Sequence, residues 1–432
     1  MDRVETGLAE TLSELMRRLY PITRSITGPG VRETLAILSE TYPIQVNEVA
    51  TGTPVFDWIV PREWSVREAW VKDPSGRTVI DFKDHNLHVL NYSAPIEGRF
   101  SLEELKPHLY SLPNQPDLIP YRTSYYNENW GFCLTDRQLQ SLTDGVYEVK
   151  IDSTLANGSL TYGEIVIPGE IEDEILISTH TCHPSLANDN LSGLLTSVNL
   201  AKRVAAKPHR HTYHFLFIPG TIGSITWLAQ NEARAQRIKH GLVLTGMGDG
   251  GPFTYKKSRR GDAVIDRVAP HVLGAMDEAH EVIDFYPYGY DERQFCSPGF
   301  NLPVGRISRT PHGEYPEYHT SGDNLEFVQP DQIVRAIDVV EAILDTADRN
   351  KTLKSLNPKC EPQLGKHGLY RKVAGQTGQQ TDELALLWVM SAADGSQSVL
   401  DIAEKAKMPF ARIAAAADRL EQHALVEAVQ PA

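Results

Sequence analysis

Residues 178–193 read STHTCHPSLANDNLSG, from Ser178 to Gly193, and follow the apolar run EILI at 174–177. A short apolar run that stops at a polar turn predicts a buried strand, and NLSGLLTSVNLAKRVAA from residue 190 predicts an amphipathic helix. His180 and Asp189 therefore fall where a strand gives way to a helix. Taken singly, Asp189 reads as a helix cap and His180 as a polar loop residue. Together they are two of the side-chain types that zinc takes in catalytic sites.

The same alternation continues outward. YHFLFIPG at 213–220, GLVLTGMGD at 241–249 and LPVGRISRT at 302–310 predict buried strands. SITWLAQNEARAQRI at 224–238 and DQIVRAIDVVEAILDTAD at 331–348 predict helices. Strands alternating with helices over 146–350 predict a mostly parallel sheet flanked by helices, with ligands at the carboxyl ends of its strands. GVYEVKIDST and LTYGEIVIPGEI, on either side of LANG at 155–158, predict a hairpin. Residues 1–50 read as mostly helical, with Leu8, Leu12, Leu15, Met16 and Leu19 at helical spacing. Residues 51–145, rich in Val, Ile, Trp and Tyr and cut by turn signals, predict a small inserted β-rich domain. Residues 351–380 read as a polar linker. Residues 381–432 carry three short helical patterns and the possible strand pattern VEAV, which is the winged-helix order.

Two further polar turns follow strand-like runs. EYPEYHTSGDNLEFV at 314–328 holds His319, and Asp249 lies just past GLVLTGMG. With STHTCHPSLANDNLSG, and with YGYDERQFCSPGFNLPVG at 288–305, these turns resemble in order and rough spacing the co-catalytic zinc peptidase superfamily. That superfamily includes bacterial leucyl aminopeptidases, glutamate carboxypeptidases and glutaminyl cyclases. The whole chain resembles a bacterial aminopeptidase-like family with an inserted β domain and a C-terminal winged helix, often named beside polysaccharide biosynthesis. The resemblance implies a zinc-exopeptidase-like α/β fold. It implies His180, Asp189 and His319 as metal ligands, with Asp189 in the bridging position, and Asp249 close to a further acidic ligand. It implies Asp291 as the aspartate that supports the site.

The chain departs from that pattern at FLFIPGTIGSITWL, 215–228. Gly223 and Ser224 match a helix start, but the two consecutive glutamates expected ahead of it are absent. Cys182 also stands where an aspartate is usual. With so few anionic ligands, one zinc is expected rather than two. Glu317 and Glu314, close to His319, are the candidate general bases, and His183 is a candidate replacement ligand.

The chain has 432 residues and a formal net charge of −14, which argues against a phosphate backbone or an anionic membrane as partner. The four scattered cysteines and the charged N-terminus fit a cytoplasmic protein. The winged-helix unit carries eight acids against four bases, so no nucleic-acid partner is expected. Homo-oligomerisation stays open.

The expected activity is zinc-dependent hydrolysis of a small peptide or amino-acyl amide next to a free amine. Two alternatives stand beside it. One is an amide-forming or amino-sugar amide reaction. The other is a degenerate protein that only binds its ligand.

Overall fold

The computed structural model describes residues 3–369 and 377–429, in two compact units. One unit comprises residues up to 261 together with 281–338, and the other 262–280 together with 339 onward.

The first unit is built on a mixed eight-stranded sheet among the described residues. Its centre is four parallel strands in the order His211–Ile218, Ile171–His180, Ile238–Leu244 and Val304–Ser308. Ile175, Leu176 and Ile177 are fully buried, as expected of a strand covered on both faces. Antiparallel neighbours flank this centre, Ser159–Ile167 on one side and Phe253–Lys256 on the other. Gln45–Ala50 adds to Ser159–Ile167, so the first fifty residues include a sheet strand as well as the helices Arg3–Leu19 and Pro29–Ser39.

The hairpin expected around LANG does not form. Val146–Ala156 pairs with Glu63–Lys72 and Ile96–Ser101 in a separate four-stranded sheet, while Ser159–Ile167 joins the large one. Each half pairs along its length with strands of a different sheet, Val146–Ala156 with Glu63–Lys72 and Ser159–Ile167 with Gln45–Ala50 and His211–Ile218. The inserted β sheet therefore extends past residue 145 to Ala156.

In the second unit, Thr352–Ser355 lies between Asp394–Ser398 and Val426–Val429 as the central strand of a three-stranded sheet. This corrects the reading of 351–380 as linker at its start; residues 370–376 of that stretch lie outside the described residues. The helices Thr377–Ala392, Val399–Ala406 and Phe410–Gln422 complete the winged helix. Among the described residues no helix is long and apolar enough to cross a membrane.

Candidate metal centre

His180 is the last residue of its strand and only 2 % exposed. The chain then turns through Cys182 and His183 into an irregular turn, Ala187–Ser192, that precedes the helix Gly193–Ala205. Asp189 sits in that turn, fully buried. Its Oδ1 lies 2.7 Å from His180 Nε2, and its Oδ2 lies 3.0 Å from His319 Nε2. One carboxylate is thus addressed from both sides by imidazoles that are 139 positions apart in sequence. Burial alone would raise the Asp189 carboxyl. The histidines around it, His183 and His180 foremost, outweigh that and hold it well below the usual range.

His183 joins this group. Donor atoms of His180, His183 and Asp189 lie within 4.8 Å of one another, close enough to share one ion. Burial pushes the His183 pKa down to about 3, so its imidazole is neutral and free to ligate. An ionised carboxylate beside the neutral His183 ring and two further imidazoles is a donor set that fits zinc.

The surroundings fix this geometry. Asp323 Oδ1 and Oδ2 accept the backbone N–H groups of Asn188 and Asp189 at 2.6 and 2.9 Å. Burial pushes the Asp323 pKa up to about 8. Asn190 Nδ2 donates to Thr179 Oγ1 at 2.8 Å and so ties the turn to the strand. His319 has φ 54°, a left-handed conformation that is uncommon for a residue with a side chain. Its carbonyl accepts the Tyr121 N–H at 2.7 Å, and Ser321 exchanges hydrogen bonds with Ile119. The inserted region thus clamps the turn that delivers His319.

Asp249 is not part of this centre. Its Oδ2 accepts from Asn188 Nδ2 at 2.9 Å, and its Oδ1 accepts from Thr310 Oγ1 at 2.7 Å and from the Gly251 N–H. Both oxygens are taken up, Oδ2 by Asn188 in the turn that carries Asp189 and Oδ1 by Thr310 and Gly251, which explains an acid just past a strand without any metal.

A cavity of about 240 Å³ opens beside the histidines. His180, His183, His319, His312, Asp291 and several tyrosines line it. Glu314 and Glu317 do not. Glu314 is exposed, and Glu317 is half-buried behind its own turn, where its carbonyl accepts from Thr320. The two-residue spacing between Glu317 and His319 would align their side chains only in extended backbone. The left-handed His319 breaks that alignment. Asp291 is the candidate base that does line the cavity. Its Oδ1 accepts from the Thr221 N–H and from Ser224 Oγ, and burial raises its pKa.

Phe217 and Ile218 lie at the buried end of His211–Ile218, just before Pro219 and Gly220, where the expected glutamates are missing. Cys182 Sγ instead accepts the Gly220 N–H at 3.3 Å, and burial pushes its thiol up to about 12.

Of three further stretches, RSITGPG at 24–30, KKSRRG at 256–261 and SYYNENWGFC at 124–133, the first two are spent internally and the third reaches the cavity. Ser25 and Thr27 of RSITGPG bond to Asn91 and to the Arg62 carbonyl, so they form no anion site. Lys256 of KKSRRG is buried against Glu292 at 2.9 Å. Tyr125 of SYYNENWGFC does wall the cavity, joined to Tyr121 by a 2.7 Å hydroxyl contact. His312 and Asp323 were not singled out from sequence. Asp323 lies within EYHTSGDN, but nothing in the pattern ties it to residues 134 and 135 positions away.

The family model described as Domain of unknown function (DUF4910) matches residues 13–350, and a winged helix-turn-helix model matches 351–428. The chain is 49% identical over 425 residues to a Clostridium acetobutylicum protein provisionally named a polysaccharide biosynthesis protein with aminopeptidase-like domain. That match covers 98% of this chain and 97% of the relative. The crystal structure of a provisionally named peptidase from the same organism has TM-score 0.93 and 47% identity, covering 98% and 97% of the two chains. A zinc aminopeptidase from Bacillus subtilis has TM-score 0.60 at 14% identity, covering 79% of this chain and 95% of its own. At that identity the likeness is one of fold.

Proposed function

The chain belongs to the family described as Domain of unknown function (DUF4910), and we propose that it is a zinc-dependent, aminopeptidase-like hydrolase cleaving an amide bond next to a free amine. The observation that carries this reading is the Asp189 carboxylate, held ionised with one oxygen toward His180 and the other toward His319 beside a cavity. His180, Asp189 and His319, with His183 in place of a missing acid, would hold one ion. Zinc, when bound, lowers the pKa of a coordinated water to about 7 and polarises a carbonyl.

The chain supplies the rest. Asp291 is the carboxylate placed to accept a proton, since it lines the cavity and keeps Oδ2 free of hydrogen bonds among the described residues. Its raised pKa suits it to holding that proton. Tyr121, Tyr125, Tyr288, Tyr290 and Tyr318 narrow the cavity, exclude water and offer ring faces to a protonated amine. The polysaccharide-biosynthesis name of the Clostridium relative favours one second reading, in which the amide belongs to an amino-sugar derivative.

A panel of amino-acyl amides and N-acyl amino sugars, offered to metal-free and zinc-loaded protein, tests the proposal. Zinc-dependent cleavage within either set supports hydrolysis and picks the substrate class. Zinc binding without cleavage of any member would leave a ligand-binding protein.

A further inference from the structure

Arg306 lies in the strand Val304–Ser308 and is fully buried. Its Nη1 lies 3.1 Å from His312 Nδ1, while its Nε and Nη2 have no partner among the described residues. A guanidinium carries donors and no acceptor. The contact is therefore a hydrogen bond only if Nδ1 holds a lone pair. The single proton of a neutral imidazole then sits on Nε2.

The charges around the ring favour the neutral form. Burial and the Arg306 cation both lower the His312 pKa, against weaker pulls from Glu292 and Asp189. Glu292 is itself engaged by Lys256, whose Nζ also donates to the Tyr288 carbonyl at 2.8 Å. The rest of the His312 ring packs among Tyr288, Tyr290 and Tyr318, with centroids 5.4, 5.1 and 6.2 Å away. His312 lines the same cavity as His180, His319 and Asp291.

We infer that His312 is a neutral hydrogen-bond donor whose Nε2–H meets the carbonyl oxygen of the bound amide as negative charge develops there, and that Arg306 is the positioning residue that fixes this tautomer. A fixed donor in a water-poor cavity stabilises developing charge without reorganising at the moment of reaction. A neutral donor also avoids setting a second cation beside a metal ion. The role of His312 rests on the hydrolase reading above. The tautomer does not.

Two measurements on the full chain test the inference. The first is nitrogen NMR of histidine-labelled, metal-free protein at neutral pH, with the His312 signals assigned through His312→Gln. Nδ1 should be unprotonated and Nε2 protonated. Arg306→Lys should keep that pattern, and Arg306→Met should let the tautomers mix. An Nδ1–H tautomer or an imidazolium in the wild type would overturn the assignment, as would an Arg306→Met protein with an unchanged spectrum.

The second measurement is calorimetric binding of the aminophosphonic acid analogue of leucine, a tetrahedral anion, to zinc-loaded protein. His312→Ala should bind it about 10- to 100-fold more weakly at unchanged zinc content. Equal affinity would remove His312 from the site. A wild type that binds zinc but not the phosphonate would count against the hydrolase reading and the donor role together, while the NMR result still decides the role of Arg306.

Discussion

Asp291 Oδ1 accepts the backbone N–H of Thr221 at 2.7 Å, and Thr221 holds φ 62°, an outlying conformation for a β-branched residue. Such a conformation costs about 1–3 kcal/mol and persists only where neighbours enforce it. Here the enforcing neighbour is a buried carboxylate at the edge of the cavity. The loop that lacks the expected glutamates is thus shaped around another acid.

The first prediction follows from that pairing. Asp291→Asn keeps the hydrogen-bonding shape but cannot take a proton. It should lower kcat on whichever amide the protein cleaves by roughly 10²–10⁴ while leaving zinc content unchanged. Glu314→Gln and Glu317→Gln, which alter residues outside the cavity, should stay near wild type. A large loss in either glutamate variant with Asp291→Asn active would reverse the assignment.

The thiols should differ sharply in reactivity. Cys133, Cys182 and Cys296 are buried, and Cys360 is exposed. Burial pushes the Cys182 thiol to about 12, so it carries almost no thiolate at neutral pH. Iodoacetamide at pH 8 should therefore label Cys360 alone in the native protein, read by peptide mass. Cys182→Ser should also retain zinc, because a protonated thiol is no ligand. Rapid labelling of Cys182 would show that it is accessible and ionised.

The sequence disclosed the site where local pattern and chemistry coincide. The apolar run ending at His180 and the helix after Asp189 form as read, because burial on both faces and helical spacing are local properties. What it hid depends on distant partners. Asp249 had the look of a ligand because it follows a strand, but Asn188 and Thr310 take up its oxygens. Glu317 is near His319 in sequence, but the turn between them rotates it away from the cavity. LANG looked like a hairpin turn until the longer strand Glu63–Lys72 took Val146–Ala156 as its partner.

Acid should destabilise the fold through His85. Its Nδ1 accepts the Leu87 N–H at 3.1 Å, which only the neutral ring can do, and burial lowers its pKa to about 4. With the folded pKa below the unfolded value of ~6.5, the contribution is fully present above pH ~6.5. It is lost as pH falls toward 4, where the unfolded chain binds a proton that the folded one refuses. The loss should approach about 2–3 kcal/mol. His85→Asn can still cap the Leu87 N–H without titrating. Urea midpoints at pH 7 and 4.5 should fall less in that variant; parallel falls would refute the assignment.

The winged-helix unit should not bind DNA. Its third helix, Phe410–Gln422, carries Arg412 and Arg419 but also Asp418 and Glu421. Arg349 lies 2.9 Å from Asp418, so cationic charge in this unit is partly neutralised within it. Mobility shifts at low salt, where non-specific attraction is greatest, should show no complex. A sub-micromolar, salt-sensitive shift would require an unrecognised basic surface.

Zinc titration separates the ligands from their braces. Removing even the partner that orients a ligand typically costs 10–100-fold in metal affinity, so removing a ligand should cost at least tenfold. Calorimetry on chelator-stripped protein should give about one ion per chain for the wild type. His180→Ala, Asp189→Asn and His319→Ala should each weaken it by at least tenfold. So should His183→Ala, since its imidazole completes the group around Asp189. Asp249→Asn should still bind, because its carboxylate faces Asn188 and Thr310 rather than the histidines. If Asp249→Asn loses zinc while His183→Ala keeps it, the acid after the third parallel strand is a ligand after all and the turn must rearrange when the ion enters.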